Sequence, residues 1–413
     1  MLAFLKRMDK ASRTLLYTCF FAYFCSGVCS LMMGSAMPDL KANYGFGDTL
    51  GGLLLSAHSA GNLVAGFISG LVPLYMGQRR AITLLSALTY IGILMMALWG
   101  NPIWLLLAFL LVGLGRGSVT NFNNRMANLL SGGSPAATNL LHASFAVGAI
   151  LAPMIFLGMR TAVSWQVGLL MAVALGAISV WNLSRMKIAN DHPDPKDKTN
   201  STMAFLKNPS FLILAMMMFC YLCSEYAING WLVTYIQSKH ALLSSLGSTA
   251  EEQASGLTAY SQTMATLLWA VILVGRLVCA ALSARVPQKR LMLGASIGVA
   301  AFFGAMLLGN TLALVTLSVA GLGFCMAGIC PMIYSDAAVF TNTYPLATST
   351  ILAIGSSGAI LMPTIVGATA ERFGFTGGMS AIFVTMLLLV VFATLNVTVK
   401  TRMPKEIAGQ TQA

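Results

Sequence analysis

Twelve apolar runs, each long enough to cross a bilayer, decide what this chain can become. A spanning helix needs about 20 mostly apolar residues. Such runs fall at approximately 15–37, 49–74, 81–99, 103–129, 138–159, 164–184, 208–237, 256–282, 289–308, 311–338, 345–367 and 375–398. The third and fourth are parted only by Gly100-Asn101-Pro102. Composition agrees: 57% of residues are hydrophobic and 9% charged, with mean hydropathy +0.79, where soluble domains run to about a quarter charged. This argues against a soluble enzyme, a disordered chain and a disulfide scaffold. Cys19, Cys25, Cys29, Cys220, Cys223, Cys279, Cys325 and Cys330 all lie in apolar runs and read as small hydrophobes rather than bridges. No signal peptide is expected, because the first run is long enough to span and no small-residue cleavage site follows it.

The net charge of +12 would suggest nucleic acid in a soluble protein. Here it follows from topology, since Lys and Arg crowd cytoplasmic loops. With the N-terminus inside, seventeen basic residues fall on the inner side and four, Lys41, Arg160, Lys239 and Arg372, on the outer side. Arg116, Arg125 and Arg276 fall within spans. Both termini are therefore expected in the cytoplasm, with no nucleic-acid partner. One long polar break, residues 185–207, holds His192-Pro193-Asp194-Pro195-Lys196-Asp197-Lys198 and divides the spans six and six. Its charge and prolines suit a cytoplasmic linker. It separates a first half, 1–184, from a second, 208–400, with a cytoplasmic tail at 401–413.

The halves repeat each other. Gly77-Gln78-Arg79-Arg80 recurs as Pro287-Gln288-Lys289-Arg290, Pro135 as Pro345, and Gly148-Ala149-Ile150-Leu151-Ala152-Pro153 as Gly358-Ala359-Ile360-Leu361-Met362-Pro363, all at an offset of 210. Gly113-Leu114-Gly115 recurs as Gly321-Leu322-Gly323 at 208. Two parallel six-helix halves are the signature of a rocking transporter whose site lies near the midplane.

Two six-span halves, a charged linker and a basic turn after spans 2 and 8 resemble the major facilitator superfamily. The turn Gly77-Gln78-Arg79-Arg80, with Gly70 before it, is a degenerate form of that superfamily's glycine-and-arginine motif; the motif's Asp is absent and Pro73 stands about there. Within the superfamily the chain is similar to the fucose–galactose–glucose/proton symporter branch. The residues that carry this likeness are Asn139-Leu140-Leu141-His142, Phe145 and Gly148 on span 5, Tyr221, Glu225, Trp231 and Tyr235 on span 7, and Gly275-Arg276-Leu277 with Arg285 and Lys289 at the end of span 8. The resemblance implies an all-α integral membrane protein of the major facilitator fold, with twelve transmembrane helices in two six-helix pseudo-repeats. Symporters of that branch carry acidic residues on spans 1 and 4. Here Thr120 stands where the span 4 carboxylate is expected, and span 1 has none before Asp39.

Ionisable groups inside spans are costly and are functional candidates by default. Glu225 lies about 15 residues, roughly 22 Å, into span 7. It reads either as a proton-titrating or substrate-binding carboxylate or as a fixed ion-pair partner within the second half. Tyr221 and Asn229 share its face, and Trp231 reaches the cavity if the helix breaks near Gly230. On span 4, Arg116, Thr120, Asn123 and Asn124 form one stripe at helical spacing, which cannot face lipid. Asn amides read sugar hydroxyls as donor and acceptor. Arg116 is read as entering from the outer side, able to snorkel, with contact to substrate as the alternative, and Arg125 as a gate or loop tether. On span 8, Gln262 and Trp269 offer an amide and an aromatic plane. His142 joins the substrate-binding candidates, although a satisfied buried histidine is the plainer reading of it and of His58. Arg276 and Asp336 lie toward the inner ends of spans 8 and 10, where they can form a structural or gating ion pair. No His/Cys/Asp/Glu cluster has metal-ligand spacing and no phosphate-binding loop appears, so no metal, no cofactor and no ATP-driven step are expected.

The expected protein is not an enzyme. It is a monomeric, multi-pass secondary transporter of the plasma (inner) membrane that moves a small polar organic molecule, first a sugar, with a proton, by rocking 1–184 against 208–400. A uniporter or exporter without coupling through the first half is the alternative, and a membrane receptor or scaffold is the reading outside transport. Reporter fusions after Lys198 and after Lys405 should both report cytoplasm; an external signal at either point would remove the twelve-span reading.

Overall fold

The computed structural model describes residues 8–132, 134–186, 188, 203–283, 285–341 and 344–399. The linker stretch from His192 to Lys198, with Lys187, Lys400 and the tail 401–413, lies outside the described residues. Among those described there is no strand. The helices are α1 Lys10–Tyr44, α2 Asp48–Met76, α3 Gln78–Leu98, α4 Pro102–Leu130, α5 Pro135–Ala162 and α6 Trp165–Arg185. They continue as α7 Pro209–Gln237, α8 Ala250–Leu282, α9 Gln288–Leu308, α10 Leu312–Met326, α11 Ile329–Asp336, α12 Ala338–Thr341 and α13 Pro345–Thr398.

Helix starts follow local chemistry. The Asp9 carboxylate accepts from the Ala11 and Ser12 N–H groups at the head of α1. Asn101 accepts from Ile103 N–H, with Pro102 in the first turn, where its missing donor costs nothing. Before α8, Thr249 and Glu252 form a capping box: the Glu252 carboxylate accepts from Ser248 and Thr249 N–H, and Thr249 Oγ1 accepts from Glu252 N–H.

The repeat seen in the sequence is a repeat of helix boundaries. α3 and α9 begin at Gln78 and Gln288 and end at Leu98 and Leu308. α4 and α10 begin at 102 and 312, and α5 and α13 at 135 and 345. Within α13, Gly374 alone leaves helical geometry, with φ 74° and ψ 169°. Only glycine takes such a backbone without strain. It divides α13 into two passes, the second resuming at 375 as α6 begins at 165. Spans 11 and 12 are thus joined by one residue, where the sequence left room for a loop. Span 10, expected as one run, is interrupted after Met326 and resumes at Ile329. Pro331 explains the break: it has no N–H to offer the Ala327 carbonyl, and its ring crowds that carbonyl.

Contacts gather the chain into two units, Met1–His192 with Asn229–Ala270, and Pro193–Ile228 with Val271–Ala413. In the first, α1 packs on α5, α2 on α4, and α3 on α4 and α6. Lipid gives apolar side chains no reason to associate, so membrane helices gain by close approach at small residues. At the α1–α5 crossing, a β-carbon on Gly27 would strike the Phe145 carbonyl and one on Gly148 the Phe24 carbonyl. Ion pairs close the helix ends: Arg160 with Asp39 at 2.8 Å, and Lys41 with Asp48. In the second unit α9 packs on α10 and α13, and Phe205, Phe211, Phe340 and Tyr344 pack edge-on or tilted at the start of α7. Gly358, the repeat of Gly148, meets the Phe219 carbonyl of α7 in the same way. Large apolar side chains such as Phe67, Ile103, Leu277 and Phe373 stand exposed, which suits hydrocarbon and not water.

Gly148→Leu should lower the melting temperature in detergent by several degrees, since overpacking a tight contact costs about 1–3 kcal/mol. Gly66→Ala, on α2 with open space before it, should leave melting unchanged or raise it slightly. Equal effects of the two substitutions would mean that the crossing is not held by close approach.

Candidate functional site

The polar stripe on α4 splits into two kinds of residue. Thr120 Oγ1 donates to the Arg116 carbonyl at 3.0 Å, and Asn124 Nδ2 donates to the Thr120 carbonyl at 2.9 Å. These two are satisfied against their own helix. Asn123 is different: it is fully buried, and neither amide atom has a hydrogen-bond partner. Arg116 Nε and Nη1 are also buried without a partner, and its guanidinium carbon lies 5.8 Å from the centre of the Phe145 ring. Arg116 stands at the midpoint of the 29-residue α4. Each end of the helix is roughly 21 Å away. Arg125 sits half-buried nine residues further along α4.

Around Phe145 the first unit builds an aromatic cluster. Tyr23 of α1 lies 5.3 Å from Phe145, His142 lies 5.5 Å from Tyr23, and Trp269 of α8 lies 5.5 Å from Phe145. The Trp269 indole donates to Asn229 Oδ1 at 3.1 Å. Gln262 Nε2 donates to the Ser35 carbonyl at 2.9 Å and leaves its own Oε1 buried and unpartnered. Thr266 donates to the Ile150 carbonyl at 3.1 Å, so α8 is tied to the backbones of α1 and α5. Trp231 is fully buried, its ring edge over Gly51 of α2, where a β-carbon would not fit. The structure therefore brings His142, Asn229, Gln262 and Trp269 into contact with α1, α5 or one another, and places Trp231 in packing against α2.

The second unit holds the carboxylates. Glu225 lies two residues past the middle of the 29-residue α7 and is hydrogen-bonded to Tyr221, one turn earlier. Arg276 of α8 and Cys330 of α11 are within electrostatic reach of that pair, and Tyr334, one turn beyond Cys330, is also close to Glu225. Asp336 does not pair with Arg276. Its carboxylate accepts from Asn396 Nδ2 of α13 at 2.8 Å, and Arg276 belongs to the Glu225 group instead. Sequence spacing put Arg276 and Asp336 toward the same end of their helices, but it could not say which faces meet. Asn396, an uncharged amide, gave no charge signal. Cys330 and Tyr334 were also missed, although their i, i+4 spacing on α11 matches that of Tyr221 and Glu225 on α7. Asn121 was missed too; its amide donates to Ser69 Oγ at 3.0 Å and ties α4 to α2. Among the described residues no group of His, Cys, Asp and Glu could hold a metal ion.

The sequence model of the Major Facilitator Superfamily matches residues 19–342. No curated protein matches the chain. Among solved structures, a bacterial homolog to the human lysosomal transporter Spinster, in an inward-facing and occupied conformation, aligns with a TM-score of 0.75 at 14% identity, covering 94% of this chain and 97% of that one. The nucleoside transporter NupG aligns with a TM-score of 0.71 at 15% identity, covering 95% and 100%. At these identities the likeness is one of fold.

A hydrogen bond to a charged group contributes about 1.5–3 kcal/mol. Asp336→Ala and Asn396→Ala should each destabilise the purified protein, and the double variant should lose less than the sum, by an interaction energy of about 0.5–3 kcal/mol. Strict additivity in melting or denaturant titration would show that the two side chains do not depend on each other.

Proposed function

The chain belongs to the Major Facilitator Superfamily, and from that premise we propose that it carries a small hydroxylated solute, a sugar being the first candidate, together with a proton across the plasma membrane. Membership makes it a multi-pass membrane transporter of small solutes and not an enzyme. The rest is our reading. It works by alternating access, as a monomer, with both termini cytoplasmic and with residues 1–184 and 208–400 as the moving halves. The fold neighbours do not carry the sugar assignment. Its support is the chemistry of the first unit, which holds amide atoms of Asn123 and Gln262 with no protein partner and a pair of aromatic faces, Phe145 and Trp269.

The observation that carries proton coupling is Glu225, in the middle of α7 with the Tyr221 hydroxyl on it and the Arg276 charge nearby. Glu225 and Arg276 both act on Tyr221 and Cys330, and charged Glu225 offsets the Arg276 charge there while protonated Glu225 does not. Taking up one proton therefore changes the charge balance of a cluster drawn from α7, α8 and α11, which is the kind of local event that biases one conformation over another. Asp336 is a poorer carrier, since it sits at the end of α11 and is occupied by Asn396.

Glu225→Gln keeps the shape and removes the charge. In proteoliposomes it should abolish accumulation driven by a proton gradient while exchange of labelled for unlabelled solute survives, because that cycle need not release the proton. Accumulation that persists would remove Glu225 as the coupling site and favour a uniporter. Loss of exchange as well would make Glu225 a substrate ligand.

A further inference from the structure

We propose that the transported solute carries a carboxylate that Arg116 binds, so that the substrate class is a hydroxylated organic acid, such as a sugar acid, rather than a neutral sugar. The inference rests on the transport reading above and narrows its substrate. An arginine side chain stays charged under all ordinary conditions and carries five N–H donors. A charge inside hydrocarbon is kept where something balances it. Arg116 stands at the middle of α4, too deep to reach headgroups, with Nε and Nη1 buried and unpartnered.

The first unit contains no counter-ion for it among the described residues. Asp9 caps α1. Asp39 is bound by Arg160, and Asp48 by Lys41. Glu252 caps α8, and Glu251 is exposed in the first turn of that helix. The other groups within electrostatic reach of Arg116, Cys29 of α1 and His58 of α2, are not carboxylates. An anion is the ligand that completes the guanidinium.

The surroundings narrow the kind of anion. One arginine balances a monoanion, which fits a carboxylate better than a doubly charged phosphate ester. Asn123, seven residues and two turns along the same face of α4, offers a free donor and a free acceptor, the pair a vicinal hydroxyl needs. The Phe145 ring, with Trp269 and Tyr23 around it, supplies an apolar wall for the carbon skeleton. A monoanion moving with one proton transfers no net charge, so the acid and the Glu225 proton are equal in number and opposite in sign.

The test is thermal stabilisation of the purified full-length protein by matched pairs that differ only in the acid: glucuronate against glucose, galacturonate against galactose, with glucose 6-phosphate as a third arm. A ligand that binds the folded state raises melting by mass action. The acids should raise the melting temperature at concentrations at least tenfold below those at which their neutral twins act. Arg116→Gln should abolish that preference. Arg116→Lys, which keeps the charge and guards against a Gln variant that does not fold, should keep the preference with weaker binding. The proposal is overturned if the neutral twins act equally well, if the acids still stabilise Arg116→Gln, or if the phosphate ester is preferred. A panel in which nothing stabilises would also overturn this substrate class, while the proton-coupling reading would still stand or fall on the Glu225→Gln measurements.

Discussion

Hydrocarbon offers no hydrogen bonds, and every other feature of this protein answers to that fact. The backbone closes on itself in helices because an open N–H or C=O inside a bilayer costs several kcal/mol. Polar side chains within spans turn back on their own helix where they can: Thr120 onto the Arg116 carbonyl, Asn124 onto the Thr120 carbonyl, Ser224 onto the Cys220 carbonyl. Where they cannot, they reach a neighbouring helix, as Gln262 does to Ser35 and Asn396 to Asp336. Helices meet closely at glycine because lipid supplies no hydrophobic drive to bring larger faces together. Against this background a polar atom that finds nothing is informative, because the solvent cannot satisfy it.

The repeat puts the two polar clusters on corresponding helices. α4 and the α10–α11 pair begin 210 residues apart, and the helices that follow them keep the same offset. At that offset Thr120 and Asn124 correspond to Cys330 and Tyr334. The same helix of each half therefore carries a polar stripe, although the residues have diverged. In the first half the stripe belongs with Arg116. In the second it stands beside Glu225 and Arg276. Gly148 and Gly358 show what the repeat preserves more strictly: both let the next helix approach by its carbonyl, at Phe24 and at Phe219.

Length and apolarity made the spans legible, because one constraint, bilayer thickness, acts on all of them. The repeat was legible because helix starts are written in local chemistry, such as Pro135 and Pro345 or Gln78 and Gln288. The break in span 10 was legible in principle at Pro331, but an unbroken apolar run of span length hid it. The one-residue joint at Gly374 was not, since a single positive φ has no composition. Site residues divided along similar lines. Glu225 stood out because a carboxylate is rare in a span. Asn396, Cys330 and Tyr334 did not, because neutral groups gain meaning only from what faces them. Trp231 drew notice as an aromatic, and its ring lies over Gly51.

Arg116 and Glu225 put the same expense to different use. Each lies at or near the middle of its helix, where charge is hardest to keep. Glu225 is accompanied: Tyr221 donates to it, and the Arg276 charge lies within reach of the same Tyr221 and Cys330. Gaining or losing a proton there changes the charge of a cluster that holds both signs. Arg116 has an aromatic face and no acid among the groups of its own unit, so nothing internal can relieve it by a proton shift, because a guanidinium does not titrate. A balanced cluster is suited to switching and an unbalanced one to binding. On the proposed reading the two demands of coupled transport, a site that changes charge and a site that requires one, are met by different residues. Each could then be altered without erasing the other.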